Sequence, residues 1–533
     1  MNDDWAYSKI VEIYLSDGII KSSPWGEAFF LPQMIWGIIF TKIFGFSFTI
    51  LRLSQILITI LGIFIFYKIL SKLTECKYLI FLGSFCLLFN PIVFSQTNTF
   101  QTDIPLMVLS LFSFHYYLVF LSGNHTYNHI LSVIFAVIAI LLKQTGIAIA
   151  FTYFICNLLF MKKRSFNLLK SSSTLLSLIL IIPLYNIISE LYNILPSSHN
   201  FMSSQFFNII TRPEVEDLKR LSYYTVNTLL SFGIFISPFS LVCFFKYSHL
   251  APDLFPKFRN KLYICLTGFI IIILKNYYSG TYLPFSGNIL YDIGLGPIIM
   301  TGIDQNIIPN IPKLGINIWT LISYIGFSGI ISFFYLIKIF IKIIKTISIS
   351  KIKLLKYAST FSCLYSIIYI LPFLIVNANI RYTNVILPFI IIAMISIIEC
   401  FKLNNIHLAA KNYCHIKIFS TIIAIFSIIA THDYFSFQTT RWKALNDLSN
   451  IQLVPAEMID GGFEFNEYHF SDIYDVWEMT ADQTKKGRFW PIVEDQYIVT
   501  VVNIDNYSLH KKYNYKRLLP YGNYSINVLK KTN

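Results

Sequence analysis

Two adjacent carboxylates stand at the front of a chain that is otherwise strongly apolar. Asp3 and Asp4 open the run Asp3-Asp4-Trp5-Ala6-Tyr7. Membrane proteins seldom keep paired acids near the bilayer unless the acids carry chemistry. A carboxylate can take the proton of an attacking hydroxyl group, so the pair indicates either acid–base chemistry or a solvated terminus.

Four more ionisable side chains stand at the edges of apolar segments. Asp103 begins one such segment, Lys143 separates two of them, Arg381 begins another, and Glu27 precedes the first. Each has an ordinary explanation: Asp103, two residues before Pro105, suits a helix N-cap, and the two cations could reach lipid headgroups. These explanations do not account for a gathering at one membrane surface, which is where the loop charges put them.

The composition is that of a helical protein that crosses a membrane many times. Of 533 residues, 55% are hydrophobic and 13% are charged, and the mean hydropathy is +0.59. The apolar residues come in blocks of helix length, unlike the short alternating runs of an outer-membrane barrel. The net charge of +14 lies in short loops, so it sets orientation and does not indicate nucleic-acid binding.

The apolar blocks predict an all-α polytopic membrane protein with about twelve spans. The segment 29–46 is apolar but interrupted by Pro32, Lys42 and Gly45, which favours a helix lying along the membrane surface. The predicted spans are 53–71, 78–96, 103–121, 130–142, 145–161, 166–190, 222–246, 261–278, 317–343, 357–377, 383–401 and 417–431.

Positive charge predicts the orientation of these spans. Five strongly basic loops all follow odd-numbered spans, which places them in the cytoplasm by the positive-inside rule. The opposite loops 97–102, 191–221, 279–316 and 378–382 then lie outside. The basic residues of the five loops are Lys72 and Lys77; Lys162, Lys163, Arg164 and Lys170; Lys246, Lys257, Arg259 and Lys261; Lys338, Lys342, Lys345, Lys351, Lys353 and Lys356; and Lys402, Lys411 and Lys417.

Three parts of the chain follow from this topology. Residues 1–50 form a first outer segment with the acids and the interfacial helix, 51–431 form the transmembrane bundle, and 432–533 form a small outer α/β domain. Because Asp3 lies outside with no helix before it, we expect a further span to precede it. The eight cysteines are scattered without Cys-x-x-Cys spacing, so they predict no metal site.

The ordered motifs resemble those of bacterial GT-C glycosyltransferases of the family 39-like kind. These membrane enzymes are related to protein O-mannosyltransferases and to the lipid A aminoarabinose transferase, and their first outer loop carries an Asp, a second acid and a Tyr. The resemblance covers most of residues 1–400. The matching segments are residues 3–7, Lys42-Ile43-Phe44-Gly45, Leu51-Arg52-Leu53, Thr102-Asp103-Ile104-Pro105, Lys143-Gln144-Thr145-Gly146, and Arg381-Tyr382 with Pro388.

The resemblance implies inverting transfer of a sugar from a polyprenyl-phosphate donor to an acceptor hydroxyl. It implies Asp3 as the general base, Asp4 as a residue that positions it or raises its pKa, and Asp103 as an acid that orients the sugar or Lys143. Arg381 suits the departing phosphate, because guanidinium offers two parallel donors. The other implied binding residues are Lys143, Tyr7, Tyr382 and Glu27.

No cofactor is expected. In the aminoarabinose transferase a Glu-Lys pair follows the first motif, and one member contributes to a metal site. Here the nearest match is Glu27-Ala28, which argues against a metal at Asp3 and Glu27. A polyprenyl-phosphate donor also carries no nucleotide diphosphate, so the usual need for Mg²⁺ or Mn²⁺ is missing.

The implied location is the bacterial inner membrane, with the active site and the C-terminal domain on the periplasmic side. The implied partners are the lipid-linked donor, the bilayer, and a glycolipid, polysaccharide or protein acceptor. A transporter or flippase of lipid-linked saccharides is one alternative, and it predicts mid-membrane charges and inverted repeats. An O-antigen polymerase or ligase is another, and it predicts reliance on Arg and His in outer loops. The stretch Ile459-Asp460-Gly461-Gly462-Phe463-Glu464-Phe465-Asn466 resembles a segment of uncharacterised bacterial relatives and carries no predicted chemistry.

Overall fold

The structure is a bundle of apolar helices with a small mixed sheet at its C-terminal end. It is a computed structural model that describes residues 4–23, 26, 29–123, 125–160, 165–192, 194, 197–247, 316–344, 350–376, 379–403, 410–470 and 495–532, with isolated positions between 266 and 295. The predicted span 261–278 therefore lies mostly outside the described residues. The helices are α1 Asp4–Asp17, α2 Leu31–Phe44, α3 Phe48–Leu73, α4 Lys77–Leu88, α5 Pro91–Gln96, α6 Asp103–Gly123, α7 Thr126–Leu142, α8 Ile147–Phe160, α9 Ser165–Leu191, α10 Ser197–Thr211, α11 Val215–Tyr247, α12 Ile316–Ile344, α13 Ser350–Val376, α14 Thr383–Lys402, α15 Ala410–Asn446 and α16 Phe463–Phe470.

Seven helices of the described part are long and apolar enough to cross a membrane, and shorter apolar helices accompany them. The multi-pass helical class predicted from the sequence is thus confirmed, while the number twelve stays a prediction. Residues 78–96, predicted as one span, form two helices. Asn90 ends the first and caps the second through its side-chain oxygen, 3.0 Å from the Ile92 amide, and Pro91 occupies the first helical position, where its missing N–H costs nothing.

Helix α14 lies at the centre of the bundle. Every residue from Thr383 to Phe401 is buried, and a helix that is apolar all round is stable only where others surround it. At its far end Glu399 accepts a hydrogen bond from Thr74, at 2.7 Å. Thr74 directly follows α3, whose 26 residues span about 39 Å at about 1.5 Å per residue. Arg52 and Arg381, near the other ends of these helices, therefore lie on the opposite side of the bundle from Glu399.

The last long helix, α15, joins the bundle to the C-terminal sheet. It continues without a break past residue 432, the predicted boundary, to Asn446. Its final turns pack on strands β4 (Tyr497–Thr500), β5 (Tyr507–Leu518) and β6 (Tyr521–Lys531). With β3 (Ile459–Asp460) these form a sheet of order β3-β4-β6-β5, in which β3 and β4 are parallel and the other pairs antiparallel. Strands β1 (Leu290–Tyr291) and β2 (Gly294–Leu295) form a separate antiparallel pair. The small α/β unit predicted in the tail is thus confirmed.

Candidate active site

The starts of several helices meet at one end of the bundle, and each start carries a polar side chain. Arg52 lies in the second turn of α3, and Asp103 is the first residue of α6. Lys143 stands between α7 and the short turn that leads into α8, and Arg381 lies in the turn before α14. An acid at a helix N-terminus is favourable, because the positive ends of the amide dipoles point there.

Asp103, Lys143 and Arg381 are in contact and are called the Asp103 cluster from here on. The Nζ of Lys143 lies 3.1 Å from Oδ1 of Asp103, and the Nε of Arg381 lies 3.7 Å from Oδ2. The side chains of Asp103 and Lys143 are 3% and 2% exposed. Removing charges from water costs several kcal/mol for each ion, so a buried ion group is weak evidence for stability. Two cations facing one carboxylate at a helix edge instead indicate a site for an anion.

Two aromatic rings pack against the Lys143 and Arg381 side chains. The Nζ of Lys143 lies 4.7 Å from the centre of the Tyr382 ring and 5.7 Å from that of Phe373. The Arg381 guanidinium lies 5.2 Å from the Tyr382 ring, and Tyr382 stacks on Phe373 with ring centres 4.0 Å apart. Cations are attracted to the negative faces of aromatic rings, so the rings hold both charges in place without neutralising them.

Local backbone geometry explains the spacing of the Lys143 motif. Lys143 ends α7 in an extended conformation, and the turn Gln144–Gly146 redirects the chain into α8. A Cβ atom on Gly146 would stand 2.6 Å from the carbonyl oxygen of Ala139. Glycine is thus the residue that lets this turn close against α7 and point Lys143 toward Asp103.

A side-chain cap shapes the Arg381 turn in a similar way. The side-chain oxygen of Asn379 accepts the backbone N–H of Arg381 at 3.1 Å, and the Thr383 hydroxyl donates to the carbonyl of Ile380 at 2.6 Å. Asn side chains favour such turns, because they replace a backbone acceptor at a helix start. These two hydrogen bonds therefore fix the position of Arg381 in the turn just before α14.

Asp4 lies at the start of α1 and pairs with Arg52. The Nε of Arg52 is 2.8 Å from Oδ2 of Asp4, whose side chain is 3% exposed. Burial raises the pKa of the Asp4 carboxyl, but nearby positive charge, of which Arg52 is the largest source, outweighs burial and holds that pKa below its ordinary value. Asp4 is therefore ionised at neutral pH.

A hydrogen bond between two glutamines joins the helix that carries Arg52 to the segment just before Asp103. Gln55 follows Arg52 on the same helix, and its side-chain amide donates to the carbonyl of Gln101 at 2.6 Å. Gln101 stands two residues before Asp103, and both glutamines are buried. The acidic start of α1 and the Asp103 cluster thus share one end of the bundle.

The remaining predicted site residues fall in two groups. Tyr7 packs among Ile10, Phe30 and Leu51, between α1, α2 and α3, and its binding role stays a prediction. Asp3 and Glu27 lie outside the described residues, and so their roles as base and ligand stay predictions as well. Among the residues that the structure does describe, no three His, Cys, Asp or Glu side chains gather as a metal site requires.

Sequence reasoning assigned no chemistry to Glu464, yet the structure brings it to this end of the molecule. Glu464 accepts from Nη1 of Arg441 at 2.6 Å, and both side chains are buried. The Glu464 carboxylate also lies near enough to Arg52 for their charges to attract. The only signal in the sequence was an acid beside a Gly461-Gly462 turn in a polar tail, which identifies a turn and not its partner.

Part of the chain matches a known family. Residues 29–189, which include Asp103 and Lys143, match the family model described as dolichyl-phosphate-mannose-protein mannosyltransferase. The resemblance to membrane glycosyltransferases predicted from the motifs is confirmed over this stretch.

Two solved structures align with the chain over most of its length. ArnT from Cupriavidus metallidurans in the apo state is 12% identical, with a TM-score of 0.36 over 99% of this chain and 93% of that chain. The same protein bound to undecaprenyl phosphate is also 12% identical, with a TM-score of 0.38 over the same shares. Alignments this loose transfer neither a residue role nor a ligand. A search of curated proteins finds no match.

Proposed function

We propose that this chain is an integral membrane glycosyltransferase that takes a sugar from a polyprenyl-phosphate donor and transfers it to an acceptor hydroxyl. The match of residues 29–189 to a mannosyltransferase family and the apolar helices of the bundle support this class. The Asp103 cluster supports the chemistry of the donor. In this proposal the configuration at the anomeric carbon is inverted.

The single observation that carries the proposal is the pairing of Lys143 and Arg381 around Asp103, at 3.1 and 3.7 Å. A lipid phosphodiester carries one negative charge, and the phosphate that leaves gains a second as its bond to the sugar breaks. Preorganised cations in a partly dry site stabilise charge that develops in the transition state far better than water does. Asp103 holds Lys143 in place, with Nζ 3.1 Å from its carboxylate.

The reaction needs a base as well as an anion site. The acceptor oxygen attacks the anomeric carbon, the bond from that carbon to the phosphate oxygen breaks, and the hydroxyl proton passes to a carboxylate. We assign this role to Asp3, the neighbour of Asp4. In this proposal Asp4, which Arg52 holds at 2.8 Å, positions its neighbour Asp3.

We further propose that this end of the bundle faces the periplasm. The basic loops that follow α3, α8, α11 and α14 support this orientation through the positive-inside rule. Glu399 and Lys402, 3.7 Å apart, then lie on the cytoplasmic side. Glycolipid, polysaccharide and protein hydroxyls all satisfy the chemistry required of the acceptor.

Purified full-length protein in liposomes tests the proposal. Synthetic polyprenyl-phosphate sugars, offered with membrane extract as the source of acceptor, should release polyprenyl phosphate, and NMR should show the inverted linkage in the product. Arg381→Met should slow release by about 10²–10³-fold, while Lys219→Met, which breaks an exposed pair with Glu216, should not change it. Turnover of nucleotide sugars in place of lipid-linked ones would overturn the proposal.

A further inference from the structure

We propose that the C-terminal segment Gly461–Phe470 is a positioning element that holds the start of α1, and with it Asp4, in place. This inference rests on the proposed function for its catalytic consequence. The contact it describes is independent of that function. It joins residues 459 positions apart in the chain, Lys9 and Tyr468.

Four side chains of alternating charge connect α1 to the end of α15, and they are called the Asp4 chain from here on. Asp4 pairs with Arg52 at 2.8 Å, and Glu464 pairs with Arg441 at 2.6 Å. The two pairs lie near enough for the charges of Glu464 and Arg52 to attract. The side chains of Asp4, Glu464 and Arg441 are 3%, 9% and 1% exposed. Removing the Glu464 charge leaves the buried Arg441 without its carboxylate partner, which is costly in a site shielded from water. It also takes away a favourable charge near Arg52, whose side chain is 31% exposed and keeps its pair with Asp4.

Arg441 also fixes the turn that presents Glu464. Its guanidinium donates to the carbonyl of Gly461 at 2.6 and 3.2 Å. In the same turn Asp460 accepts from the Gly462 amide and from Asn466, at 3.2 and 3.0 Å. Asn466 in return accepts from the Gly461 amide at 3.0 Å. Gly462 has a φ of +85°, a backbone conformation that glycine adopts without strain. The stretch that resembled only uncharacterised proteins is therefore a rigid, polar turn.

A second set of contacts holds α1 about one and a half turns beyond Asp4. Lys9 donates to the carbonyl of Tyr468 at 2.8 Å, and the Tyr468 hydroxyl donates to the Glu12 carboxylate at 2.5 Å. Lys9 thereby places a cation on a carbonyl near the C-terminus of α16, where the helix dipole favours positive charge. Between the Asp4 chain and this second set of contacts, the rings of Trp5 and Phe463 meet edge to face, with centres 6.1 Å apart.

These contacts explain why only the first half of α1 is buried. Residues 4–11 are buried, whereas residues 12–17 are half-buried or exposed. Tyr7, Ile10 and Val11 pack on α2 and α3, and Trp5 and Ala6 pack on Phe463. Since the bundle covers one face of α1 and the C-terminal segment the other, the segment is required to fix the end that carries the acids.

The first experiment measures the contact itself, by hydrogen exchange in the full-length protein. Glu464→Gln keeps the shape of the side chain and removes its charge. We expect amides of α1 to exchange roughly tenfold faster, because local opening becomes easier, with α6 and α14 unchanged. Lys511→Met, which breaks an exposed pair of the same C-terminal unit at 3.0 Å, is the matched control and should leave α1 protected. Unchanged exchange in α1 of Glu464→Gln overturns the inference, whatever the activity.

The second experiment separates positioning from donor binding. In Glu464→Gln we expect kcat to fall on the order of tenfold or more, because a catalytic group displaced by about an ångström loses much of its effect. The KM for the lipid-linked donor should change less than about twofold, because the Asp103 cluster is untouched. A kcat equal to that of the wild type, with α1 loosened, overturns the positioning role. A wild-type protein that transfers no sugar removes the proposed function, and the exchange result still decides the contact.

Discussion

The Asp103 cluster and the Asp4 chain lie at the same end of the molecule and are built on different principles. The Asp103 cluster sets Lys143 and Arg381 around one carboxylate and backs them with the aromatic rings of Phe373 and Tyr382. The Asp4 chain alternates two acids with two arginines. Two cations beside one carboxylate suit the proposed phosphate site, whereas alternating charges suit a fixed joint. We propose that one end of the bundle combines an anion-binding site with a segment that positions a neighbouring group.

The largest expected effect comes from removing the carboxylate of the Asp103 cluster, which tests whether that carboxylate holds the cluster together. Asp103→Asn removes the carboxylate that lies 3.1 Å from the buried Lys143, and the loss of one partner from a buried pair costs about 3–5 kcal/mol. We expect the free energy of unfolding in detergent to fall by that amount. Glu216→Gln, which breaks the exposed pair with Lys219, is the control and should change it by less than about 1 kcal/mol. Equal effects of the two variants would mean that Asp103 does not hold the cluster together.

Arg381 offers a sharper test of the anion site. Arg381→Met should lower kcat by about 10²–10³-fold, the range for removal of one group that stabilises developing charge. Arg381→Lys keeps the charge but loses the planar fork that matches a phosphate, so we expect an intermediate loss. Steady-state transfer assays on reconstituted protein measure both. If Lys restores full activity, charge alone matters at this position and the bidentate role is wrong.

These two regions also differ in how far the sequence could predict them. Asp103, Lys143 and Arg381 stand at the ends of apolar segments, and counting spans places all three at one surface before any contact is known. The approach of the C-terminal segment to α1, seen in the bond from Lys9 to the Tyr468 carbonyl, follows no such rule. It joins residues 459 positions apart, and hydrophobic periodicity reports only local structure. The helix break at Asn90 was missed for a different reason: the apolar run continues through it, and hydropathy outweighed the Pro91 signal.

The rigid turn of the Asp4 chain can be disturbed without touching a charge. A Cβ on Gly461 would stand 2.5 Å from Cδ1 of Phe465 and 2.7 Å from Cδ2 of Leu445. Crowding of this kind costs about 1–3 kcal/mol, so Gly461→Ala should lower the melting temperature and loosen α1. Gly522→Ala meets its nearest neighbour, the Tyr524 ring, at 3.3 Å and should be tolerated better. A Gly461→Ala protein with an unchanged melting temperature and slow hydrogen exchange in α1 would show that the turn can shift and still hold α1.

The smallest expected effect is a pH dependence of the Asp4 joint. The pKa of Asp4 in the folded protein lies below the ordinary value of 3.8, so its contribution to stability is fully present above pH 3.8. That contribution is lost as the pH falls through the lower, folded-state pKa. We therefore expect the stability difference between the wild type and Asp4→Asn to be constant above about pH 5 and to shrink below pH 3.8. If this stability difference instead grows as the pH falls, the pKa of Asp4 in the folded protein lies above its ordinary value and the assignment is wrong.

Binding of a short-chain polyprenyl phosphate to the full-length protein tests the central claim most directly. We predict that the wild type binds it and does not bind the uncharged polyprenol of the same length. Lys143→Met should weaken binding on the order of tenfold or more, since a hydrogen bond to a charged group contributes about 1.5–3 kcal/mol. Lys219→Met should bind as the wild type does. Equal affinity of Lys143→Met and the wild type, or equal binding of the alcohol, would contradict the assignment of the Asp103 cluster to a lipid phosphate.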